Sequence, residues 1–268
     1  GTTFRKHQLV IVDEASLAGT LSLDRITAHA AEVGAKVLLV GDWAQLQSVT
    51  ASGAFSLLVH DRDDAPELVD VHRFVNEWEK TASLDLRHGR TKAIDTYAER
   101  GRITGGDTEA MIDAAYTAWR TDTLDGHAAV LIADSNASVH ALNQRARADL
   151  ILDGTVNALR EVALHGDTRA GAGDVIITRK NDRRLGAGRG WVRNGDRWTV
   201  IEVRDDGSLT VRRQGSRGTT ILPATYVSEH VDLGYAVTAH RAQGITTDTS
   251  HVLADPSTTR ENLYVAMT

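Results

Sequence analysis

Two carboxylates follow directly after a short apolar run near the start of the chain. Leu9–Val12 is apolar throughout, and Asp13 and Glu14 come next. Such a run predicts a parallel strand buried on both faces, with the acids at its carboxyl end, where open α/β sheets bind ligands. Acids in this place can hold a metal ion and orient a water for attack on a phosphate. A helix cap after a core strand is the alternative, and it is the commoner reading of an isolated Asp-Glu pair.

A glycine, an acid and a glutamine follow the next apolar run. Residues 37–40 are apolar, Gly41 and Asp42 come after them, and Gln45 lies three residues beyond the acid. Acids after neighbouring strands suit a site that hydrolyses a nucleotide, and an amide beside them can hydrogen-bond a bound phosphate. A polar loop with only a structural role is the alternative.

Polar side chains also crowd into residues 234–246. After an apolar start, this stretch carries the hydroxyl of Thr238, the imidazole of His240, the guanidinium of Arg241 and the amide of Gln243. Such donors suit phosphate oxygens better than they suit a core. Taken alone, His240 reads more simply as a satisfied surface histidine.

The elements that must position these groups fall into two α/β stretches. Residues 8–75 alternate short strands with helical patterns, which predicts a parallel sheet with right-handed crossovers. Residues 76–119 are helical and amphipathic, with breaks at Gly89 and near residues 105–106. A buried strand at 128–133 and a helix at 138–151 then predict a second α/β unit.

A different pattern separates this second unit from the polar cluster at 234–246. Short strands alternate there with Gly-rich turns, which predicts a small β-barrel with Trp198, Val200 and Val203 on its inner face. Residues 205–208 have the composition of a hairpin turn. Residues 179–197 carry seven basic side chains and make the barrel a candidate guide for a nucleic-acid strand.

Composition excludes several classes of protein. The chain has 268 residues, a net charge of −6 and no cysteine, so disulfides and thiolate metal sites are excluded. It carries no apolar run of membrane-spanning length and no signal peptide. These features predict a cytoplasmic globular protein, and the acidic total does not exclude a local basic patch.

The order of these motifs resembles that of the superfamily 1 DNA helicases. The likeness is to the RecD-like branch, and in particular to the helicase part of TraI/TrwC-type conjugative relaxases. Any one motif is weak evidence, but five in the family's order are specific. The matching segments are 12–16 (Walker B), 41–49 (motif III), 71–74 (motif IV), 238–244 (motif V) and 261–268 (start of motif VI).

The resemblance implies an α/β fold with two RecA-like parallel-sheet motor domains, the first incomplete, and an SH3-type β-barrel inserted in the second. Residues 1–75 would form the C-terminal part of the first motor domain. Residues 76–268 would form the second motor domain, with the barrel at 166–230. Both ATP and Mg²⁺ are implied as cofactors, and single-stranded DNA as a partner.

The resemblance also implies a role for each matching residue of the ATP site. Asp13 would hold Mg²⁺ through its water shell, and Glu14 would polarise the attacking water. Gln45 would contact the γ-phosphate, and Arg73 would neutralise the charge that develops on it. A surface pairing of Arg73 with a nearby glutamate is the alternative. Two further residues, Gly244 and Thr246, would lie near the nucleotide.

On the DNA side, the resemblance implies that motif V touches the strand backbone or couples it to the ATP site. The residues concerned are Thr238, His240 and Gln243, and Arg193 would contact the strand from the barrel. The chain shows neither a Gly-x-x-x-x-Gly-Lys-Ser/Thr loop nor the motif VI arginine. It also has Thr246 at a position where many relatives carry an acid. We therefore expect a fragment of a larger protein, with negligible ATP turnover by itself.

The resulting functional hypothesis is part of an ATP-dependent helicase that moves 5′ to 3′ on single-stranded DNA in a conjugative relaxase. Other conjugation or DNA-processing proteins would be its partners. Two alternatives stay open from the sequence. One is a catalytically inactive nucleic-acid-binding module derived from a helicase, and the other is an RNA helicase of the same superfamily.

Overall fold

The computed structural model describes residues 3–46, 53–62, 64–68, 74–188 and 190–268. These residues form two compact units, one within Gly1–Thr104 and Thr258–Thr268, the other within Gly105–Ser257. The first unit thus includes helices after residue 76 and the C-terminal residues, all of which the sequence had placed in the second motor domain. The boundary between compact units lies at residue 104 rather than 75, and the division into motor domains stays a prediction.

A two-stranded parallel sheet is the centre of the first unit. Strand β1 (Leu9–Val12) pairs with β2 (Lys36–Leu39) so that Val12 lies opposite Leu39. Helix α1 (Thr20–Val33) connects the strands, and its C-terminal turn closes at Gly34, whose φ of 73° suits a residue without a Cβ. Helix α2 (Ala54–His60) follows β2.

The prediction that β1 is buried on both faces is wrong. Leu9 is 54% exposed and Ile11 is 60% exposed, whereas Val12 packs with Leu23 of α1 and Phe55 of α2. Among the described residues, helices cover only the face of the sheet that carries Val12 and Leu39. Alternate side chains of a strand point to opposite faces, so covering one face buries only every second residue.

Three helices complete the first unit. Helix α3 (Glu77–Arg87), helix α4 (Lys92–Glu99) and the C-terminal helix (Arg260–Met267) share one apolar cluster. Tyr264 joins this cluster from the C-terminal helix, beside Leu86 of α3. This shared core explains why the C-terminal residues belong to the first compact unit.

The second unit joins an α/β sheet to a β-barrel. Its α/β part contains a three-stranded parallel sheet, and its barrel contains a five-stranded antiparallel sheet with two additional hairpins. The elements in chain order are α5 (Thr108–Leu124), β3 (Ala129–Ala133), α6 (Asn136–Leu152), β4 (Asn157–Ala163), β5 (Arg169–Ala172), β6 (Val175–Thr178), β7 (Asp182–Ala187), β8 (Gly190–Val192), β9 (Arg197–Val203), β10 (Leu209–Arg213), β11 (Thr219–Leu222), α7 (Ala224–His230), β12 (Val231–Leu233), β13 (Ala236–Thr238), α8 (Ala239–Ala242) and β14 (Thr249–Leu253).

The parallel sheet has β3 at its centre, between β13 and β14. Strand β3 is almost fully buried, as its continuous apolar sequence predicts for a central parallel strand. Asp107 caps the N-terminus of α5, because its carboxylate accepts a hydrogen bond from the backbone N–H of Ala110. Ser135 caps α6, where its hydroxyl accepts from the backbone N–H of Ser138.

The antiparallel sheet of the barrel has the strand order β11-β10-β9-β6-β12. Trp198, Val200 and Val203 are each 5% exposed or less, which confirms the predicted inner face. A β-bulge between β9 and β10 leaves Ile201 37% exposed and explains why this face departs from strict alternation. The turn at 205–208 joins β9 to β10, with Gly207 at a φ of 79°.

Tyr116 gives the second unit a pH-dependent stability. Its hydroxyl donates to the Asp149 carboxylate at 2.6 Å, and burial together with this bond raises the pKa of Tyr116 from 10.0 to about 12. A pKa raised by folding contributes stability that is complete below pH 10 and disappears as the pH rises through 12. When the pH is raised from 10 to 12, the free energy of unfolding measured in urea should fall less for Tyr116→Phe than for the wild type. An equal decrease in the two proteins would contradict the assignment.

None of the helices in the described part of the chain is long and apolar enough to cross a membrane.

Candidate functional site

The turn after β1 holds its two acids in an unusual backbone conformation. Asp13 and Glu14 are exposed, and Glu14 lies in the left-handed region with φ 51° and ψ 43°. Its backbone N–H donates to the Asp13 carboxylate at 3.0 Å. A residue with a side chain adopts this conformation at a cost, and such residues cluster at functional sites. The left-handed Glu14 therefore favours the catalytic interpretation over a simple helix cap.

The turn after β2 packs directly against the turn after β1. The backbone N–H of Ala15 donates to the carbonyl of Val40 at 2.8 Å. A Cβ on Gly41 would lie 3.1 Å from the Ala15 nitrogen and 3.2 Å from the Ser16 nitrogen, which is tighter than ordinary contacts. Gly41 therefore permits this close approach, and the carboxyl ends of the two strands meet at one edge, as the sequence predicts.

Asp42 is the centre of a hydrogen-bond network at this edge. Its carboxylate accepts from the Ala44 backbone N–H at 3.0 Å and from the Gln45 amide Nε2 at 3.3 Å. The hydroxyl of Tyr264, on the C-terminal helix, donates to the same carboxylate at 2.9 Å. These bonds fix Asp42 and orient the Gln45 amide, so Asp42 positions the predicted phosphate-contacting residue.

Arg87, near the end of α3, adds a positive charge to this network. Its guanidinium lies 3.4 Å from the Asp42 carboxylate and 2.9 Å from that of Glu67. The side chain is only 11% exposed and lies 5.7 Å from the ring centroid of Trp43. Sequence reasoning did not assign a role to Arg87 or Tyr264, because no local signal reports a contact with Asp42 from a distant part of the chain, which for Tyr264 is 222 positions away.

The chemistry of the acids fits Mg²⁺ bound together with a nucleotide. The described residues contain no group of three or more His, Asp or Glu side chains that forms a complete metal cage. Mg²⁺ does not need one, since it commonly keeps several waters and takes one or two carboxylates plus phosphate oxygens. The exposed carboxylate of Asp13, at the end of a parallel strand, is a suitable ligand or second-sphere acceptor.

In the second unit, the predicted motif V lies at the carboxyl end of β13. Thr238 ends this strand, and α8 follows with His240 exposed and Gln243 half-buried. Gly244 has a φ of 80° and Thr246 is exposed. Thr238 therefore lies at the carboxyl end of the sheet, with His240 in the helix that follows. Thr246 lies two residues before Asp248, whose backbone N–H donates to the Ala128 carbonyl at 2.8 Å, just before the amino end of β3.

Two buried side chains hold the strand that leads to motif V. Asn143 of α6 accepts from the backbone N–H groups of Tyr235 and Ala236 at 2.9 and 3.0 Å, and its amide donates to the Ala236 carbonyl at 3.1 Å. Tyr235 is 1% exposed, and its hydroxyl donates to Asp174 at 2.5 Å. Burial and the adjacent carboxylate raise the pKa of Tyr235.

Asp174 connects this strand to the barrel and to α6. It is fully buried, lies 2.9 Å from the Arg147 guanidinium and accepts the Gly171 backbone N–H at 2.7 Å. Arg147 also pairs with Glu161 of β4. Within this unit, the network fixes Tyr235, the residue before β13, relative to α6 and to the barrel.

The remaining predicted site residues are Arg193 and Arg73. Arg193 is exposed beside the β7–β8 hairpin, and its guanidinium lies 5.3 Å from the ring centroid of Trp191. Arg73 lies outside the described residues. The structure therefore brings Asp13, Glu14 and Gln45 to one edge of the first unit, and it places Thr238 at the carboxyl end of β13 in the second, with His240 in the helix that follows.

Two protein-family models match the chain. The model described as an AAA domain matches residues 1–108. The model described as the Rv2311 SH3-like barrel domain matches residues 162–232, close to the predicted barrel at 166–230.

Curated relatives match almost the entire chain. The probable conjugal transfer protein TraA of Sinorhizobium fredii is 34% identical over 269 residues, which covers 97% of this chain. The conjugal transfer protein TraA of Rhizobium radiobacter is 33% identical over 264 residues, again 97% of this chain. The chain spans 23% of the length of each of these relatives.

The fold is similar to that of a solved helicase. The crystal structure of Pif1 helicase from Candida albicans matches with a TM-score of 0.58 and 13% identity, over 97% of this chain and 69% of that one. The α/β fold with parallel sheets and the SH3-like barrel are as the sequence predicts. These findings support the motif resemblance: almost the whole chain is related to the TraA conjugal transfer proteins, its first 108 residues match an AAA-domain model, and its fold is similar to that of a helicase.

Proposed function

We propose that this chain supplies nucleotide-hydrolysing and strand-binding residues of an ATP-dependent DNA helicase that moves 5′ to 3′ on single-stranded DNA during conjugation. The observation that carries the proposal is the junction of the turns after β1 and β2. There, a left-handed Glu14 follows Asp13, and Gly41 lets the two turns meet. The full-length TraA relatives support the link to conjugation, with other transfer proteins as partners.

In this proposal, the acids of the first unit divide the chemistry between them. Mg²⁺ bound with ATP supplies charge neutralisation at the phosphates. Asp13 holds the hydrated ion, and Glu14 accepts a proton from the attacking water. Gln45 donates its amide to the γ-phosphate, with its orientation set by Asp42. Arg73 neutralises the charge that develops during transfer, and Gly244 and Thr246 lie near the nucleotide.

Motif V and the barrel bind the strand in the same proposal. Thr238, His240 and Gln243 present hydroxyl, imidazole and amide groups to backbone phosphates, and Arg193 contributes from the barrel. Contacts of this kind read the backbone rather than the bases. Binding is therefore expected to be largely independent of sequence and strongly dependent on salt.

Strand binding by the 268-residue chain tests this proposal. Affinity for a labelled single-stranded DNA should fall linearly with salt on logarithmic axes, because phosphate contacts release counterions. His240→Ala should weaken binding several-fold at low salt, on the order of one lost polar contact. His127→Ala is the matched control, because it removes an exposed histidine before the amino end of β3, whereas His240 follows the carboxyl end of the neighbouring strand β13. Absence of any binding at low salt contradicts the proposal, and a preference for RNA of equal length favours an RNA helicase.

A further inference from the structure

The β7–β8 hairpin of the barrel concentrates positive charge. Residues 179–197 hold seven basic and two acidic side chains, in a chain whose net charge is −6. The two acids already have partners within the unit. Asp182 pairs with Arg184 at 2.8 Å, and Asp196 pairs with Arg213 at 2.5 Å. Arg183 and Arg193 of this segment are exposed, and neither of its two acids pairs with them.

Trp191 lies between two of these arginines. The guanidinium carbon of Arg183 is 5.4 Å from its ring centroid, and that of Arg193 is 5.3 Å away. Trp191 is half-buried, and both arginines are exposed. Within the described part of the chain, no carboxylate forms an ion pair with Arg183 or Arg193. An indole flanked by uncompensated guanidiniums offers an aromatic surface and two phosphate ligands in one place.

A cavity of about 330 Å³ adjoins the hairpin. Arg193 and Arg213 line it, together with Thr220 and the glycines Gly188 and Gly190. Arg213 is held beside the hairpin, because its guanidinium donates to the Trp191 carbonyl at 2.9 Å and pairs with Asp196.

We propose that Trp191 is a base-stacking platform for single-stranded nucleic acid, with Arg183 and Arg193 on the flanking phosphates and the adjoining cavity open to a neighbouring nucleotide. The inference rests on the proposed function, which supplies the single-stranded nucleic acid as the partner. It adds a binding site whose affinity depends on the bases of the strand and not only on the charge of its phosphates. Stacking of a base on an aromatic side chain tolerates any sequence, because every base has a π face. Guanidiniums stack on bases as well as pairing with phosphates, so the two arginines can stay beside the ring.

An acidic protein segment is the competing partner for this surface. It would use the arginines but gain little from the indole face. A nucleic acid needs both, so the dependence on bases distinguishes the two partners.

The experiment compares two labelled strands of equal length, an oligothymidylate and its abasic counterpart. Loss of one stacked base corresponds to roughly 5- to 100-fold in affinity. Trp191→Ala in the 268-residue chain should weaken oligothymidylate binding by that factor and leave abasic-strand binding nearly unchanged. Trp191→Phe should keep most of the affinity, because an aromatic face remains. We expect binding of oligothymidylate to quench the fluorescence of Trp191 in the wild type, and Trp191→Phe should lose this contribution.

Matched arginine variants test the phosphate contacts. Arg183→Gln and Arg193→Gln should each reduce the salt slope by about one. Arg184→Gln is the control on the same hairpin, since Arg184 is 90% exposed and already paired with Asp182. It should leave the slope unchanged.

Each outcome has a defined meaning. Equal affinity of wild type and a folded Trp191→Ala for oligothymidylate overturns the inference, as does an equal loss on the abasic strand. If Trp191→Ala fails to fold, the wild-type preference for bases and the fluorescence of Trp191→Phe decide the question instead. If the wild type binds no single strand at low salt, the proposed function itself fails. If the wild type binds a labelled acidic peptide but neither strand, the partner of this surface is a protein rather than a nucleic acid.

Discussion

Glu14→Gln is expected to slow DNA-stimulated ATP hydrolysis by roughly 10²- to 10⁴-fold, the contribution of a positioned general base. Glutamine keeps the size of the side chain but cannot accept the proton of the attacking water. Because the expected loss concerns a chemical step, ATP binding should persist. The measurement is steady-state turnover in a polypeptide that joins these residues to a phosphate-binding loop and to a motif VI arginine.

Asp24→Asn is the matched control for this prediction. Asp24 is an exposed acid on α1, away from the turn after β1, so the same chemical change should leave turnover unaffected. Turnover by Glu14→Gln at the wild-type rate would remove Glu14 from the reaction. The helix-cap interpretation of the Asp-Glu pair would then be the correct one.

Asp174→Ala is expected to destabilise the second unit by about 3–5 kcal/mol, because it breaks a buried ion pair and leaves three buried donors without their shared acceptor. Asp174 is 0% exposed, and its carboxylate is shared by Arg147, Tyr235 and the Gly171 backbone N–H. The loss should appear as a lower urea midpoint with an unchanged slope, provided that unfolding remains two-state.

Asp205→Ala is the control for the buried acid. Asp205 pairs with Arg160, but it is 94% exposed, and surface pairs contribute about 0–1 kcal/mol. Similar losses for the two variants would show that the Asp174 network is not the connection between α6, the barrel and β13 that its geometry indicates.

Elements with strong local patterns were predictable from the sequence. Strand β3 is continuous in apolar residues and buried, and the helical breaks at Gly89 and near residue 105 separate α3, α4 and α5. The hairpin turn before β10 follows from Gly207, since only a residue without a Cβ adopts its φ easily. The β7–β8 hairpin was missed, because its Arg- and Gly-rich sequence lacks an alternating apolar pattern.

The sequence by itself determined which polar groups follow the predicted strands and are therefore the candidates for the reaction. It placed Asp13, Glu14 and Gln45 after strands and supplied the motif order on which the helicase relationship depends. Side-chain chemistry and strand period are local properties, so one chain is sufficient to predict them.

Only the tertiary structure decided which groups meet. It placed Tyr264 on Asp42, joined Asp174 to Arg147, and exposed one face of β1 that the sequence predicted to be buried. It also set the arginines of the barrel around Trp191. These outcomes depend on how distant segments pack, and a pattern confined to neighbouring residues carries no information about such packing.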